Sequence, residues 1–527
     1  MILVHQVRLG LQEPLQAATD KAIAQLGCPP AQVEKTYLHK ISVDARRGKP
    51  HFVCTVALTL REREKEACYV GVDPSVQVAG TLVYKCVTGS RPLPGPVVVC
   101  GLGPAGLFAA LELAEAGFFP RVIERGPEMH KRRSAVKHFE ETGELDTEAN
   151  LQFGEGGAGT FSDGKLTTRI RDPLCQRVME HLLQAGAPEE IAYRAKPHIG
   201  TDLLQEIFVR LRNRIVERGG KICFETKLTG LDTEKDALRG LLTDCGKLPC
   251  GVLVLATGHS ARDVYGWLHK GETVLEAKPF SVGFRIEHLQ SEIDKGLYHE
   301  AAGHPALPPG EYQLSAKVEG RGVYTFCMCP GGSVVAAASE PGGVVTNGMS
   351  RHARDGKNAN SAVVAGVSPA EFGADPFRAM AFQKTLEEAA YAAGGGRFTA
   401  PACTLDGFLQ GEGVLHIGRV QPSYPRGVRG ADLGALLPGD ITEALRGGLR
   451  LFGRRLPGFD AKEAVLTGLE TRTSSAVRIP RDEEGQSLST KGLWPCGEGA
   501  GYAGGIMSAA VDGIRTARAI IQTFRPD

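Results

Sequence analysis

The chain has 527 residues, and its 61 basic and 60 acidic side chains leave a net charge of +1. That length supports more than one domain around a large core, and the balanced charge argues against a global field for nucleic acid or an anionic membrane; no apolar run is long enough to span a bilayer. Thirteen cysteines scattered through apolar runs, no His or Cys set at metal-ligand spacing and no leader-type start predict a cytoplasmic protein with reduced thiols and no metal.

Residues 1–92 read as a small α+β domain. Leu3 to Leu9 has the pattern of a strand, and Leu15 to Leu26 has helical periodicity with Gly27 as its stop. Val33 to Val43 and Pro50 to Leu60 read as strands flanking a basic turn, Asp44-Ala45-Arg46-Arg47-Gly48-Lys49, expected to be solvated. Thr88 to Pro96, rich in Pro and Gly, is the linker.

The next unit, 93–268, opens on the densest signal in the chain. The apolar run Val97-Val98-Val99-Cys100 feeds directly into Gly101-Leu102-Gly103-Pro104-Ala105-Gly106. Helical periodicity follows to a Gly117 stop, and the apolar pair Val122-Ile123 then ends in Glu124 and Arg125. Strand, glycine turn, helix, strand and acid at this spacing form a dinucleotide-binding fingerprint. Gly101 permits the tight turn, Gly103 lets backbone approach a pyrophosphate, and Gly106 permits close helix–strand packing. The N–H groups at the helix start attract phosphate, and Glu124 can accept bonds from a ribose diol. The charge run His130-Lys131-Arg132-Arg133 reads as a solvated face or as a lining for the adenosine end.

Three later segments bear on the same site. Gly156-Gly157-Ala158-Gly159-Thr160 is small enough to lie against a cofactor, and Lys165 offers it a charge. Ile222 to Leu228 reads as one strand ending beside the adenine, with Leu228 in contact. Val252 to Leu255 is a buried strand entering the small-residue turn Ala256-Thr257-Gly258, followed by His259.

Residues 269–465 change to strand-rich segments with glycine turns, read as an inserted substrate or cap domain. Residues 466–527 close the dinucleotide domain: Gly497-Glu498 follows a strand, and Gly504-Gly505-Ile506-Met507 opens a helix. Glu498 is placed to reach a ribityl hydroxyl or the pyrophosphate region. This three-part distribution resembles the FAD-binding two-dinucleotide-fold flavoproteins. The fold expectation is α/β, a Rossmann-like FAD fold with an inserted strand-rich domain and a small N-terminal α+β domain.

A second resemblance covers nearly the whole chain. Asn150 to Leu166, Thr325 to Gly332, Thr346 to Ser350 and Thr471 to Arg478 resemble blocks of the bacterial and plastid group called uncharacterised FAD-dependent dehydrogenases, a NAD(P)- and FAD-dependent oxidoreductase family. The resemblance implies a flavin dehydrogenase or reductase acting on a small molecule. FAD is expected to be bound non-covalently, because the first loop lacks a His or Cys pattern for attachment. NAD(P)H is expected at most as a transient donor, because a second nucleotide fingerprint is missing.

Glutathione-reductase-like proteins carry a Cys pair in the loop where this chain has Gly156 to Thr160, which argues against a disulfide reductase of that design. Candidate reactive residues are Arg472 and Arg478, facing flavin or a substrate carboxylate or else joined in a surface ion-pair network; His259, an acid–base group or a helix cap; and Cys327 with Cys329, two thiols expected on one strand face. Two other function classes stand beside the dehydrogenase: a flavin monooxygenase or halogenase, and an FAD-dependent RNA-modifying or non-redox flavoprotein.

Overall fold

The computed structural model describes residues 1–46, 48–70, 74–80 and 86–526; Arg47 of the basic turn lies outside them. The molecule is built on three principal sheets. The N-terminal one is antiparallel, in the spatial order Val33–Asp44, His51–Leu60, Ile2–Leu9, Val76–Val78. The helix Ala17–Leu26 packs on one face and ends at Gly27 in the left-handed conformation, φ 67°. This unit is pinned to the body by backbone bonds: Ile41 N–H donates to Tyr193 O at 2.7 Å, and Ala195 N–H donates to Ile41 O at 2.8 Å. The linker follows the C-terminal helix, with Gly89 N–H on Ile521 O at 2.8 Å.

The second sheet is parallel, ordered Leu493–Pro495, Val252–Leu255, Val97–Cys100, Arg121–Ile123, Lys221–Cys223. Its central strands are short, continuous apolar runs because both faces are covered. One cover is the pair of helices Pro104–Glu115 and Ile506–Thr523. They lie so close that a Cβ on Gly513 would collide with the Ala105 carbonyl oxygen. The run expected as one strand from Ile222 to Leu228 is two: Lys221–Cys223 ends the parallel sheet, and Leu228–Glu234 begins a three-stranded antiparallel sheet. The break lies at Glu225, whose φ of 51° cannot belong to a strand.

The third sheet has seven strands and carries most of the inserted region. Phe280–Leu289 is paired on one side with Asn358–Val367 and on the other with Val465–Glu470. The boundary placed after residue 465 therefore falls inside a strand: Val465–Glu470 belongs to this sheet, because its buried run completes the ladder beside Phe280–Leu289. The α/β architecture, a Rossmann-like sheet with a strand-rich insertion and a small α+β unit, is the one expected. Among the described residues no helix is long and apolar enough to cross a membrane.

Candidate functional site

Parallel strands direct their carboxyl ends to one edge of the sheet, and a crevice opens where the strand order reverses. Here the reversal lies between Val97–Cys100 and Val252–Leu255. The cleft at that edge has about 1560 Å³ of empty space, part of it continuous with solvent. Cys100, Gly101, Glu124, Arg125, Ala256, Thr257 and Gly258 line it from the strand ends. Gly103, Pro104 and Ala105 line it from one helix start, and Gly505 and Ile506 from another.

Both helices begin on a glycine with no side-chain cap. Their first N–H groups and positive dipole ends therefore face the cleft, with the Glu498 carboxylate beside the second at Gly505. The glycines fall into two sets. A Cβ on Gly101 would strike the Ala256 carbonyl, and one on Gly106 the Gly101 carbonyl, so these two permit packing. A Cβ on Gly103 would meet nothing closer than Gly157 Cα at 3.7 Å, and one on Gly258 or Gly505 nothing within 4 Å. These three keep the cleft open for a close-lying ligand.

Glu124 is buried and organises the turn before it can bind anything else. Its carboxylate accepts from Leu102 N–H at 2.8 Å, and from Gly126 and Gly154 N–H at 3.0 Å each. A carboxylate has about four acceptor sites, so one remains for a hydroxyl. Arg125 lies 4.2 Å over the Phe153 ring and is held by Glu148 and Asp263.

Gly157, Gly159, Lys165 and Leu228 line the cleft, but the Lys165 ammonium is not free for a phosphate. It pairs with Asp163 at 2.9 Å and Glu311 at 3.1 Å; burial pulls it down, and the two carboxylates outweigh that and hold it above its ordinary value. Thr160 lies behind the wall, bonded to Arg132 and the Gly157 carbonyl. Gly106, Gly497, Gly504 and Met507 are likewise absent from the lining. Gly497 serves the turn, with φ 77° and its N–H on Asp512 at 2.7 Å, whereas Gly504 is tied to Ser508, and Met507 is in the core.

Arg132 corrects the reading of the charge run. It is fully buried, and its guanidinium donates to the carbonyls of Asn150, Leu151, Glu155 and Gly157. It shapes the glycine loop from below.

Of the reactive candidates, Arg472, Cys327 and His259 line the cleft; Arg478 and Cys329 do not. Arg472 is not available to a substrate carboxylate. It bonds Glu387 at 2.8 and 3.0 Å, Glu340 at 3.1 Å and Ser339 at 2.6 Å. Arg262 takes Glu387 from the other side at 2.8 and 2.9 Å. Burial opposes ionisation of Glu387, but the two guanidinium groups prevail and lower it to about 2. Arg478 lies 5.4 Å from the Tyr502 ring centroid, outside the cleft.

His259 does not cap the following helix, which has no side-chain cap. Its Nε2 faces Glu498 Oε1 at 3.7 Å. Burial and the nearby Arg472 and Arg262 lower its imidazole to about 3, so it is neutral at pH 7. Burial raises Glu498 to about 7 against the Gly505 N–H and Lys278, and raises Glu470 to about 7 against Arg285.

Glu387 and Glu470 were not among the expected site residues. A signal for Glu387 existed, because it shares the buried helical face of Ala379, Gln383, Leu386 and Ala390. An acid on an apolar face requires a buried partner.

The likeness to known proteins follows this geometry. Residues 279–473 match the family model described as FAD-dependent protein, C-terminal domain-like. A protein of Clostridium beijerinckii is 42% identical over 527 residues, covering 99% of both chains. Among solved structures, L-proline dehydrogenase from P. horikoshii is similar over 82% of this chain and 94% of its own, with 12% identity and a TM-score of 0.34. Glycine oxidase from Bacillus cereus covers 81% and 94%, with 13% identity and a TM-score of 0.30. The relative's identity over the full length and the family match together show that this chain belongs to the FAD-dependent protein family.

Proposed function

We propose that the protein is an FAD-dependent oxidoreductase, a dehydrogenase or reductase, that moves a hydride or an electron pair between a small-molecule substrate and non-covalently held flavin. One observation carries the reading. Two uncapped helix starts and three glycines with open Cβ positions converge on one cleft at the strand-order reversal. This is an arrangement suited to a pyrophosphate and a flat ring system that must approach backbone closely.

Gly103, Ala105, Gly505 and Ile506 would hold the pyrophosphate and the adjoining flavin, and the remaining acceptor site of Glu124 would take the adenosine ribose. Thr226, Lys227 and Leu228 line the cleft near Arg125 and suit the adenine. FAD supplies the two-electron chemistry, and the chain supplies binding, orientation and proton handling. Glu498 and Glu470, both raised to about 7, can hold or release a proton at a carboxylate oxygen near neutral pH. Neutral His259 can orient Glu498 without adding charge. NAD(P)H is assigned only the role of transient donor.

The experiment is direct. The purified protein is denatured, and the released flavin is identified by chromatography and absorbance. Anaerobic bleaching is then scanned with NADH, NADPH and small acids, amines and alcohols. One FAD per chain and bleaching by at least one donor are expected. A chain that carries no flavin and takes up none on reconstitution overturns the reading.

A further inference from the structure

We infer that Cys327 and Cys329 form a reversible dithiol–disulfide couple that opens on the cleft through Cys327 and exchanges two electrons with the flavin; the electron partner rests on the proposed function, the couple itself does not. The geometry begins with a register shift. In the strand Arg321–Cys329, Phe326 stands opposite Ala362 and Cys329 opposite Asn360. Two residues, Cys327 and Met328, therefore face Ser361 alone, which is a β-bulge. Cys327 has φ 43°, in the left-handed region that a non-glycine residue rarely adopts. The simple alternation that would give both thiols equal access is broken: Cys327 lines the cleft, and Cys329 is fully buried behind it. The two residues stay together, since the Cys329 thiol donates to the Cys327 carbonyl oxygen at 3.3 Å. The bulge departs from the full extension that would hold residues i and i+2 at their greatest separation, and a disulfide needs Cα atoms within roughly 4.4–6.8 Å.

The surroundings differ from those of a packing cysteine. The Arg285 guanidinium is fully buried and donates to the Cys327 carbonyl at 2.9 Å, with the Cys329 sulfur at 3.6 Å. Glu470 faces Arg285 at 3.3 Å and also lines the cleft. A fixed cation beside a thiol favours the thiolate. The Cys329 S–H bond, aided by Arg285 and Lys165, lowers the Cys327 thiol against its burial, and the partner thiol is correspondingly raised. By contrast, burial pushes the core thiols of Cys250 and Cys403 up to about 12.

Oxidation joins the two sulfurs, releases two thiol protons and gives up two electrons. The electrons and one proton pass to the flavin, and the second proton leaves through the Glu470 carboxylate; reduction reverses each step. The loaded protein would then store four electrons rather than two.

The test combines a thiol count with a reductive titration of the purified full-length protein. After equilibration in an oxidising glutathione buffer and denaturation, 11 of the 13 cysteines should react with a chromogenic disulfide reagent, and all 13 after prior reduction. Peptide mapping should place the missing pair at Cys327–Cys329. Anaerobic dithionite should reduce the flavin-loaded protein with two equivalents per flavin, and the Cys327→Ser variant with one. Cys329→Ser is the second variant if Cys327→Ser does not fold. Thirteen reactive thiols in both states, or a disulfide elsewhere, overturn the couple. One dithionite equivalent in wild type with a mapped Cys327–Cys329 disulfide overturns electron exchange with the flavin. A protein without flavin refutes the proposed function, and the thiol count still decides the couple.

Discussion

The two sides of the cleft are built from different materials. The sheet edge presents backbone: glycines, uncapped helix starts, and a Glu124 carboxylate tied to three N–H groups. The opposite side presents charges in matched groups: Arg472 and Arg262 on Glu387 and Glu340, Arg285 on Glu470, and Lys165 and Arg354 on Asp163 and Glu311. A backbone wall is complementary to a ligand that supplies its own charge. A wall of paired charges is neutral overall and holds a rigid shape without offering any pair to solvent. Changes on the first side should therefore affect flavin binding and spare stability, and changes on the second should do the reverse.

The sharpest break of that contrast is Glu387→Gln, which leaves two arginines buried with one carboxylate partner, Glu340, between them. Removing one partner of a buried charge group costs about 3–5 kcal/mol. Urea unfolding should show that loss; a cost below about 1 kcal/mol would remove the charge network from the account.

Gly103→Val comes next. The position has φ −75° and room around its Cβ, so the side chain can be accommodated without backbone strain but enters the cleft. Flavin affinity should fall more than about 100-fold, roughly 3 kcal/mol. The melting temperature of the flavin-free protein should stay within a few degrees of wild type. Stoichiometric flavin in the variant would show that the glycine turn does not meet the cofactor.

Glu498 sharpens the comparison through pH. Its folded value, about 7, lies above the ordinary 4.5. Such a group contributes stability that is fully present below pH about 4.5 and is lost as pH rises through about 7. Glu498→Gln cannot ionise, so the flavin-free variant should gain on wild type across that window, by on the order of 3 kcal/mol. Parallel stability profiles from pH 4.5 to 8 would place the carboxyl in a more polar setting.

The smallest effect is expected for Glu498→Ala with flavin. A buried charge-assisted bond contributes roughly 1.5–3 kcal/mol, so affinity should weaken about 10- to 100-fold in fluorescence titration. Unchanged affinity would detach Glu498 from the flavin.

The legibility of the two sides in the sequence follows the same division. Val97 to Gly106 declares its strand, turn and helix within ten residues, because each step depends on local backbone needs: apolar β-branched residues, a glycine with positive φ, and a proline at the first helical position. The Ile222 to Leu228 run was misleading for the complementary reason, since its apolar pattern does not show the reversal at Glu225. The Cys327 bulge was equally hidden, because a register shift depends on the partner strand.

By itself the sequence determined the parallel-sheet core, the glycine turn, both helix starts and the strand-rich character of the insertion. All of these are encoded by neighbouring residues acting on their own backbone. Only the tertiary structure decided which charges meet. Glu387 and Arg472 are 85 positions apart, Arg285 and Glu470 are 185 apart, and Asp163 and Arg354 are 191 apart. An isolated Arg or Glu reads equally well as solvated or buried. The reason is physical: the free energy of a buried charge is set by the partner that three-dimensional packing brings to it, and no local pattern records that partner.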